Sequence, residues 1–328
     1  MAATQTDQAG AEQRALREGC GLLDRSERGK LALTGAGAVE FLNGQVTNEL
    51  ANLRSGEGRY AAFLTAKGKM LGDLRILAVG DDGDGVPAEL LLDTERSALQ
   101  ALFDMIRRFK VGYDVELHKR TLERGLLSLL GPAAQTTAGV EALSDAPEHT
   151  SMALEIDGAQ VVAVRTDVGV DLICDEADTP RLTAVLLARS ALAISEQAAE
   201  CLRVESGRPR FGVDIDDTTI PQEAGLNERA VSFTKGCYVG QETVARLHYR
   251  GRPNRHLRGL LLSAAAATGE ELRLGERSVG RVGSSAISPD FGPIALALVR
   301  REAEPGATVS VGENGVTATV TALPFGAG

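Results

Sequence analysis

Residues 235–242 read Lys-Gly-Cys-Tyr-Val-Gly-Gln-Glu. The thiolate is the reactive form of a cysteine, and a neighbouring ammonium and a helix N-terminus both favour it. Lys235 lies two residues before Cys237, and Gly240-Gln241-Glu242 opens a segment through Val-Ala-Arg-Leu-His that reads as a helix. Positive potential therefore converges, in sequence, on one sulfur. A small residue packed beside a turn is the plainer account, and local chemistry weighs the two equally. The other cysteines read as core filler: Cys20 and Cys174 fall in apolar strand patterns, and Cys201 lies in a helix between Glu200 and Leu202.

Two carboxylates interrupt apolar strands, Asp73 in KMLGDLRIL and Asp171 in VGVDLICD. A carboxylate in such a place must be ion-paired, hydrogen-bonded or engaged with a ligand. Arg203, in ECLRVESG, is a natural charge partner in the same cavity. An internal ion pair explains these groups as well as ligand binding does. Residues 246–259, RLHYRGRPNRHLRG, carry Arg246, Arg250, Arg252, Arg255 and Arg258 with two histidines and no acid. A solvated face would mix signs, so this run reads either as a site for phosphate, carboxylate or an RNA backbone, or as salt links to another domain.

The elements that must position these groups alternate along the chain. Strand patterns at GCGLLDRS and GKLALTG precede a helix over AGAVEFLNGQVTNEL, then two strands around a Lys-Gly turn in RYAAFLTAKGKMLGDLRILAVG. An acidic glycine loop, DDGDG, leads to the strand AELLLD, the amphipathic helix TERSALQALFDMIRRF and the strand YDVELHK. A similar grouping follows, with strands RGLLSLLGP, ALEI and AQVVAVRTDVGVDLICD and helices TPRLTAVLLARSALA and SEQAAECLRVESG. From about residue 256 short alternating segments separated by Gly, Pro and Asn turns predict a small β-barrel or sandwich. The order of strands and helices predicts an α+β fold with antiparallel sheets.

Composition removes several function classes. The 328 residues are long for one core, so two or three domains are expected. A formal net charge of −10 argues against a general polyanion-binding surface. The cysteines lack C-x-x-C spacing and there are four histidines, so no metal site and no disulfide framework is expected. LTGAGAVEFLNG lacks the spacing of a nucleotide-binding glycine loop and reads as a tight strand-to-helix turn. No apolar run approaches a membrane span, and the polar opening MAATQTDQAGAEQRALREG has no signal core, so a cytoplasmic protein with a short disordered leader is expected.

KGCYVGQE, preceded by DDTTIPQEAGLNERAVSFT and followed by VARLHYRG, resembles the signature of the YgfZ family of folate-binding proteins. These are relatives of the glycine-cleavage T-protein and of a mitochondrial iron–sulfur assembly factor. FLNGQVTNEL, YAAFLTAKGKMLGDLRIL and VGRVGSSAISPDFGPIALALVRR are similar to further segments of that family, so the likeness covers nearly the whole chain. It implies three domains in a ring around a folate channel. On that reading domain 1 comprises 1–55, 122–155 and 206–255, a discontinuous ferredoxin-like domain 2 comprises 56–121 and 156–205, and a C-terminal barrel spans 256–328. The ligand implied is tetrahydrofolate or a one-carbon derivative. Asp171 falls where the T-protein has an acid that receives the pterin edge, Arg203 matches its channel arginine and Tyr60 its aromatic wall. Arg250 and Tyr238 join the expected cofactor-binding set, and Cys237, Lys235 and Asp73 the expected catalytic set. Where the T-protein carries Asp-Asp this chain has Gly72-Asp73, leaving Asp73 in the catalytic position.

Three functions stay open on the sequence. The resemblance favours a monomeric folate-dependent protein that supports assembly or repair of client iron–sulfur enzymes and acts indirectly on tRNA thiolation. The first alternative is a T-protein-like aminomethyltransferase or demethylase; the second is a tRNA- or partner-binding module using Arg246–Arg258. Whether the chain turns over a substrate is left open by the sequence.

Overall fold

A computed structural model describes residues 2–81, 83 and 85–326. The expected acidic loop over 81–85 lies partly outside the described residues. By contacts the chain divides into two compact units, residues 1–61 with 73–199, and residues 62–72 with 200–328. Among the described residues no helix is long and apolar enough to cross a membrane.

The first unit begins with helix α1 (Ala2–Glu18) and strands β1 (Gly21–Asp24) and β2 (Gly29–Thr34), then α2 (Ala38–Asn43), β3 (Gly58–Leu64), β4 (Met70–Val79) and β5 (Glu89–Thr94). It continues through α3 (Leu99–Phe109), β6 (Glu116–Lys119), β7 (Arg124–Leu130), α4 (Ala134–Ala138), β8 (Ser151–Ile156), β9 (Ala159–Thr166) and β10 (Gly169–Asp175). Helix α5 (Thr179–Ala188) and β11 (Leu192–Ala193) follow, and α6 (Glu196–Glu205) starts in this unit and ends in the second. Two sheets result, one of five strands in the order β3-β4-β5-β2-β6 and one of six in the order β11-β1-β7-β10-β9-β8. Residues 29–34 hydrogen-bond with 89–94 on one side and 116–119 on the other.

Side chains alternate between the faces of a strand, and this period sorts the first unit's interior. One face of the six-stranded sheet sends Leu127, Leu129, Leu172 and Cys174 against Leu182 and Leu186 of α5. Its other face meets the five-stranded sheet, where Leu126, Val164 and Ile173 pack with Ala32, Leu77 and Leu91. Two residues further along the same faces the apolar layer turns ionic. Arg75 and Lys30 both stand opposite Asp93 across β4, β5 and β2, and Asp171 stands opposite Ser128. Arg75 then bridges the two sheets, donating Nε to Asp93 Oδ2 (2.6 Å) and Nη1 to Asp171 Oδ2.

The polar N-terminus differs from expectation. It forms α1 rather than a disordered leader, because Leu16 is buried and Glu12 accepts a hydrogen bond from Ser195 Oγ at 2.6 Å. Helix α2 stops at Asn43, well short of the expected Leu50, because Asn43 Oδ1 takes the Leu50 N–H (2.9 Å) and folds the chain into a loop. Phe41, Leu42 and Val46 are buried as their spacing suggested.

In the second unit α7 (Asn227–Ala230) and α8 (Gln241–Arg250) precede β12 (Arg255–Leu262), β13 (Glu271–Leu274), β14 (Arg277–Ser288), β15 (Gly292–Arg300), β16 (Thr308–Val311) and β17 (Val316–Thr321). The last six close into a barrel in the order β12-β15-β14-β13-β16-β17. Leu260, Leu272, Val282, Val299, Val309 and Val320 fill its interior. On its outside Val204 of α6 packs with Leu257, Ile294, Leu296 and Phe325, which fixes the helix that carries Arg203.

Arg75→Met tests the ionic layer. The variant keeps the aliphatic stem but leaves Asp171 with Ser128 and Asp93 with Arg28, and removing one member of a buried ion pair costs roughly 3–5 kcal/mol. Urea unfolding is expected to show a loss of that order; a change under about 1 kcal/mol would mean that the layer contributes little.

Candidate functional site

Asp73 lies in β4 with 7% of its surface exposed. The preceding strand β3 brings Tyr60 alongside, and the Tyr60 hydroxyl donates to Asp73 Oδ2 at 2.7 Å. The backbone around the pair is held by two further side chains: Asn48 Nδ2 donates to the Tyr60 carbonyl (2.8 Å) and the Thr94 hydroxyl to the Asp73 carbonyl. Burial pushes the Asp73 carboxyl up to about 6, against the pull of the Tyr60 hydrogen bond; Glu95 adds to the rise and Arg28 opposes it. A carboxyl poised there can hold or release a proton near neutral pH, the property general acid–base chemistry needs.

Asp171 sits in β10, 6% exposed, and both its oxygens have partners: Ser128 Oγ at Oδ1 (2.6 Å) and Arg75 at Oδ2. Arg75 is shared with Asp93, which also accepts from Arg28 Nε at 2.8 Å. Although burial opposes it, Arg28 and Arg75 hold the Asp93 carboxyl well below the ordinary carboxylate range. Lys30, fully buried beside them, donates Nζ to the carbonyls of Ser26 (2.8 Å) and Arg28 (3.0 Å), and its burial lowers the ammonium's affinity for a proton. The Asp73 and Asp171 sites are thus joined on one strand face, because Arg75 follows Asp73 by two residues and reaches Asp171. The two carboxylates have different surroundings: Asp73 is held by a neutral hydroxyl, Asp171 by a guanidinium.

Arg203, expected at the ligand, has its donors engaged by other side chains and the backbone. A guanidinium has five N–H donors. In Arg203 they go to both oxygens of Glu200 (2.9 and 2.7 Å), to Asp214 Oδ2 (2.9 Å), to Ser284 Oγ and to the Arg208 carbonyl. All five are spent inside the second unit, where Arg203 clamps α6 to the loop at Asp214 and to β14.

Cys237 is exposed, whereas Cys20, Cys174 and Cys201 are buried. Lys235 is buried at 7% exposure, with its Nζ 5.3 Å from the centroid of the Tyr238 ring. The ammonium two residues before the thiol therefore faces an aromatic ring. Tyr238 is itself buried, which pushes its phenol up to about 12. Gly240, at φ +85°, precedes α8, and a Cβ there would lie 2.6 Å from the Thr65 carbonyl and 3.1 Å from Gly68 Cα. Glycine at 240 thus lets the Cys237 segment close onto the β3–β4 turn. In the basic run Arg250 and Arg252 are exposed, Arg246 pairs with Glu242 (2.8 Å) and Arg255 with Glu223 (2.9 Å). Among the described residues no group of three His, Cys, Asp or Glu converges to hold a metal ion.

The GCVT N-terminal domain matches residues 2–235, and the glycine cleavage T-protein C-terminal barrel domain matches residues 255–326. The chain belongs to the glycine cleavage T-protein family. An aminomethyltransferase of Corynebacterium aurimucosum is 29% identical over 96% of this chain and 89% of its own length. One from Rubrobacter xylanophilus is 29% identical over 96% of this chain and 85% of its own. The fold is shared with the glycine cleavage system aminomethyltransferase T of Bartonella henselae, at a TM-score of 0.84 and 24% identity, covering 97% of this chain and 89% of that one. These likenesses place the chain at the level of the T-protein family.

Sequence reasoning singled out Asp73, Asp171 and Tyr60 but passed over Arg75, Asp93, Arg28 and Ser128. The signal was present in the spacing: Arg75 is the second polar residue on the face that carries Asp73, Leu77 and Val79, and Asp93 closes an apolar run.

The raised Asp73 carboxyl has a measurable sign. Its folded form binds a proton more tightly than the unfolded chain does, so its contribution favours folding in acid and is lost as the pH rises from about 4 to about 6. Asp73→Asn, neutral at every pH, is expected to be about 3 kcal/mol more stable than the parent at pH 8, with the difference closing towards pH 4. Denaturant titrations at several pH values measure it; a constant difference would contradict the raised carboxyl.

Proposed function

We propose that the protein binds tetrahydrofolate and handles the one-carbon unit it carries, with Asp73 as the proton-handling group. The observation that carries the reading is the buried Asp73 carboxyl, oriented by Tyr60 and set near 6, in a chain of the glycine cleavage T-protein family. Aminomethyltransferase relatives that align over 96% of the chain support it. When bound, the folate supplies the nitrogens that take up a one-carbon unit. The protein's part is to receive the pterin and to move a proton. A carboxylate offers about four lone-pair positions; Arg75 and Ser128 occupy one on each oxygen of Asp171, leaving acceptors for the parallel N–H donors of a pterin. Tyr60 directs the Asp73 oxygen and offers a ring face beside it. Arg203, fully engaged, is left out of this assignment.

A second reading, support of iron–sulfur enzymes, is favoured by the exposure of Cys237 within KGCYVGQE. In it the thiol acts on a one-carbon unit, a sulfur species or a cluster ligand of a client enzyme.

Two measurements separate the readings. In calorimetric folate titrations Asp171→Asn is expected to weaken binding about tenfold, the effect of losing one charge-assisted hydrogen bond; unchanged affinity would sink the pterin assignment. With an aminomethyl donor, Asp73→Asn is expected to lower the rate of methylene-tetrahydrofolate formation by about a hundredfold or more while folate still binds, and Cys237→Ala to leave that rate unchanged. If the parent forms no methylene-tetrahydrofolate, and cells lacking their own copy regain iron–sulfur enzyme activity from Asp73→Asn but not from Cys237→Ala, the second reading replaces the first.

A further inference from the structure

The second unit holds a recess of about 460 Å³, walled by the loop around Asp214 and Asp216 and by strands β12, β14 and β15. That volume falls within the roughly 300–1,000 Å³ of small-molecule sites. Three arginines line it: Arg255, Arg281 and Arg300. Arg255 and Arg300 are direct cross-strand partners on β12 and β15. Like charges in that relation have Cβ atoms about 4.5–5.5 Å apart and destabilise the pair. In a chain of net charge −10 such a concentration of positive charge is local.

Of the two acids of the recess, Asp214 has both oxygens engaged in the scaffold, whereas Asp216 has one oxygen so engaged and attracts Arg255. Asp214 Oδ1 accepts the Ser284 N–H at 2.7 Å, while Oδ2 accepts Arg203 Nη1 (2.9 Å) and the Arg210 N–H (2.8 Å). Gly283 makes this possible, since a Cβ there would lie 2.5 Å from Asp214 Oδ1. Asp216 Oδ1 accepts the Thr218 N–H (2.9 Å) and the hydroxyls of Thr218 (2.7 Å) and Thr219 (3.1 Å). Of the arginines, Arg255 is drawn to Glu223 (2.9 Å) and the Thr218 carbonyl (2.8 Å). Arg281 spends one donor on the Gly269 carbonyl (3.2 Å) and stands across from Glu271, while the exposed Arg300 guanidinium is attracted by Glu302 but makes no hydrogen bond or close ion pair among the described residues.

We infer that this recess binds a small molecule bearing phosphate or carboxylate groups, with Arg281 and Arg300 as its principal donors and Arg255 behind them. An anion between the strands replaces the Arg255–Arg300 repulsion with two attractions, and planar guanidinium forks match oxyanions of either kind. The inference concerns the second unit alone and does not depend on folate chemistry at Asp73.

The test uses the full-length protein and two probes, inorganic pyrophosphate and citrate, titrated separately by calorimetry in low salt. Sub-millimolar binding of either is expected, and which one binds assigns phosphate or carboxylate. Arg300→Gln is expected to weaken binding about tenfold and the Arg281→Gln, Arg300→Gln double variant about a hundredfold, as for one and two charge-assisted contacts. Because both side chains are exposed, circular dichroism is expected to stay unchanged. The site is rejected if neither probe binds below 10 mM or if the double variant binds like the parent. Tetrahydrofolate affinity of the double variant is expected to match the parent's; a parallel loss would make the recess part of the folate site and overturn its independence.

Discussion

A single guanidinium, that of Arg75, spans the space between the facing sheets of the first unit. It meets Asp93 on a neighbouring strand of its own sheet and Asp171 on the sheet opposite. Asp93 is fully buried and is tolerable as an anion only because Arg28 approaches it from the other side. Asp171 in turn relies on Ser128 for its second oxygen. Each member satisfies another, so the layer has the closed accounting that a buried polar network requires. Apolar residues of similar volume would hold the sheets together as well. They would not set the register as tightly, because a one-residue slip of β4 would turn Arg75 to the wrong face and leave Asp171 without its cation.

That constraint also explains why the candidate site is where it is. The face of β4 runs from Val79 and Leu77, among aliphatic neighbours, through Arg75 to Asp73. Apolar packing gives way to ion pairs and then to a lone carboxyl with a tyrosine. Two carboxylates on one stretch of interior thereby have different company: Asp171 meets a guanidinium and a serine, and Asp73, beside a tyrosine hydroxyl, is drawn towards the neutral form by burial.

Most of the fold was legible in the sequence because it rests on period-two alternation and glycine turns. The strands of the barrel, the β3–β4 hairpin and the helices after β5 and β10 follow directly from those patterns. The N-terminal helix was not legible, since α1 is polar along most of its length and owes its place to Leu16 and Glu12 meeting distant partners. The site was half legible. A carboxylate in an apolar run announces itself, as Asp73 and Asp171 do, but which cation answers it is a tertiary fact. By type Arg203 reads as that cation; Arg75, on the strand face itself, pairs with Asp171, and Arg203 pairs with Asp214. Around Cys237 the sequence showed a lysine two residues away without showing that its head group turns to Tyr238.

The Asp73 proton has a thermodynamic signature beyond stability. Near pH 6 the folded protein is a mixture of two charge states that differ at one buried oxygen. A ligand that prefers either state exchanges a fraction of a proton with the solvent when it binds. The heat of that exchange belongs to the buffer, so the apparent binding enthalpy varies with the buffer's ionisation heat. The slope of that variation counts the protons exchanged on binding, and the part that disappears in Asp73→Asn belongs to this interior carboxyl.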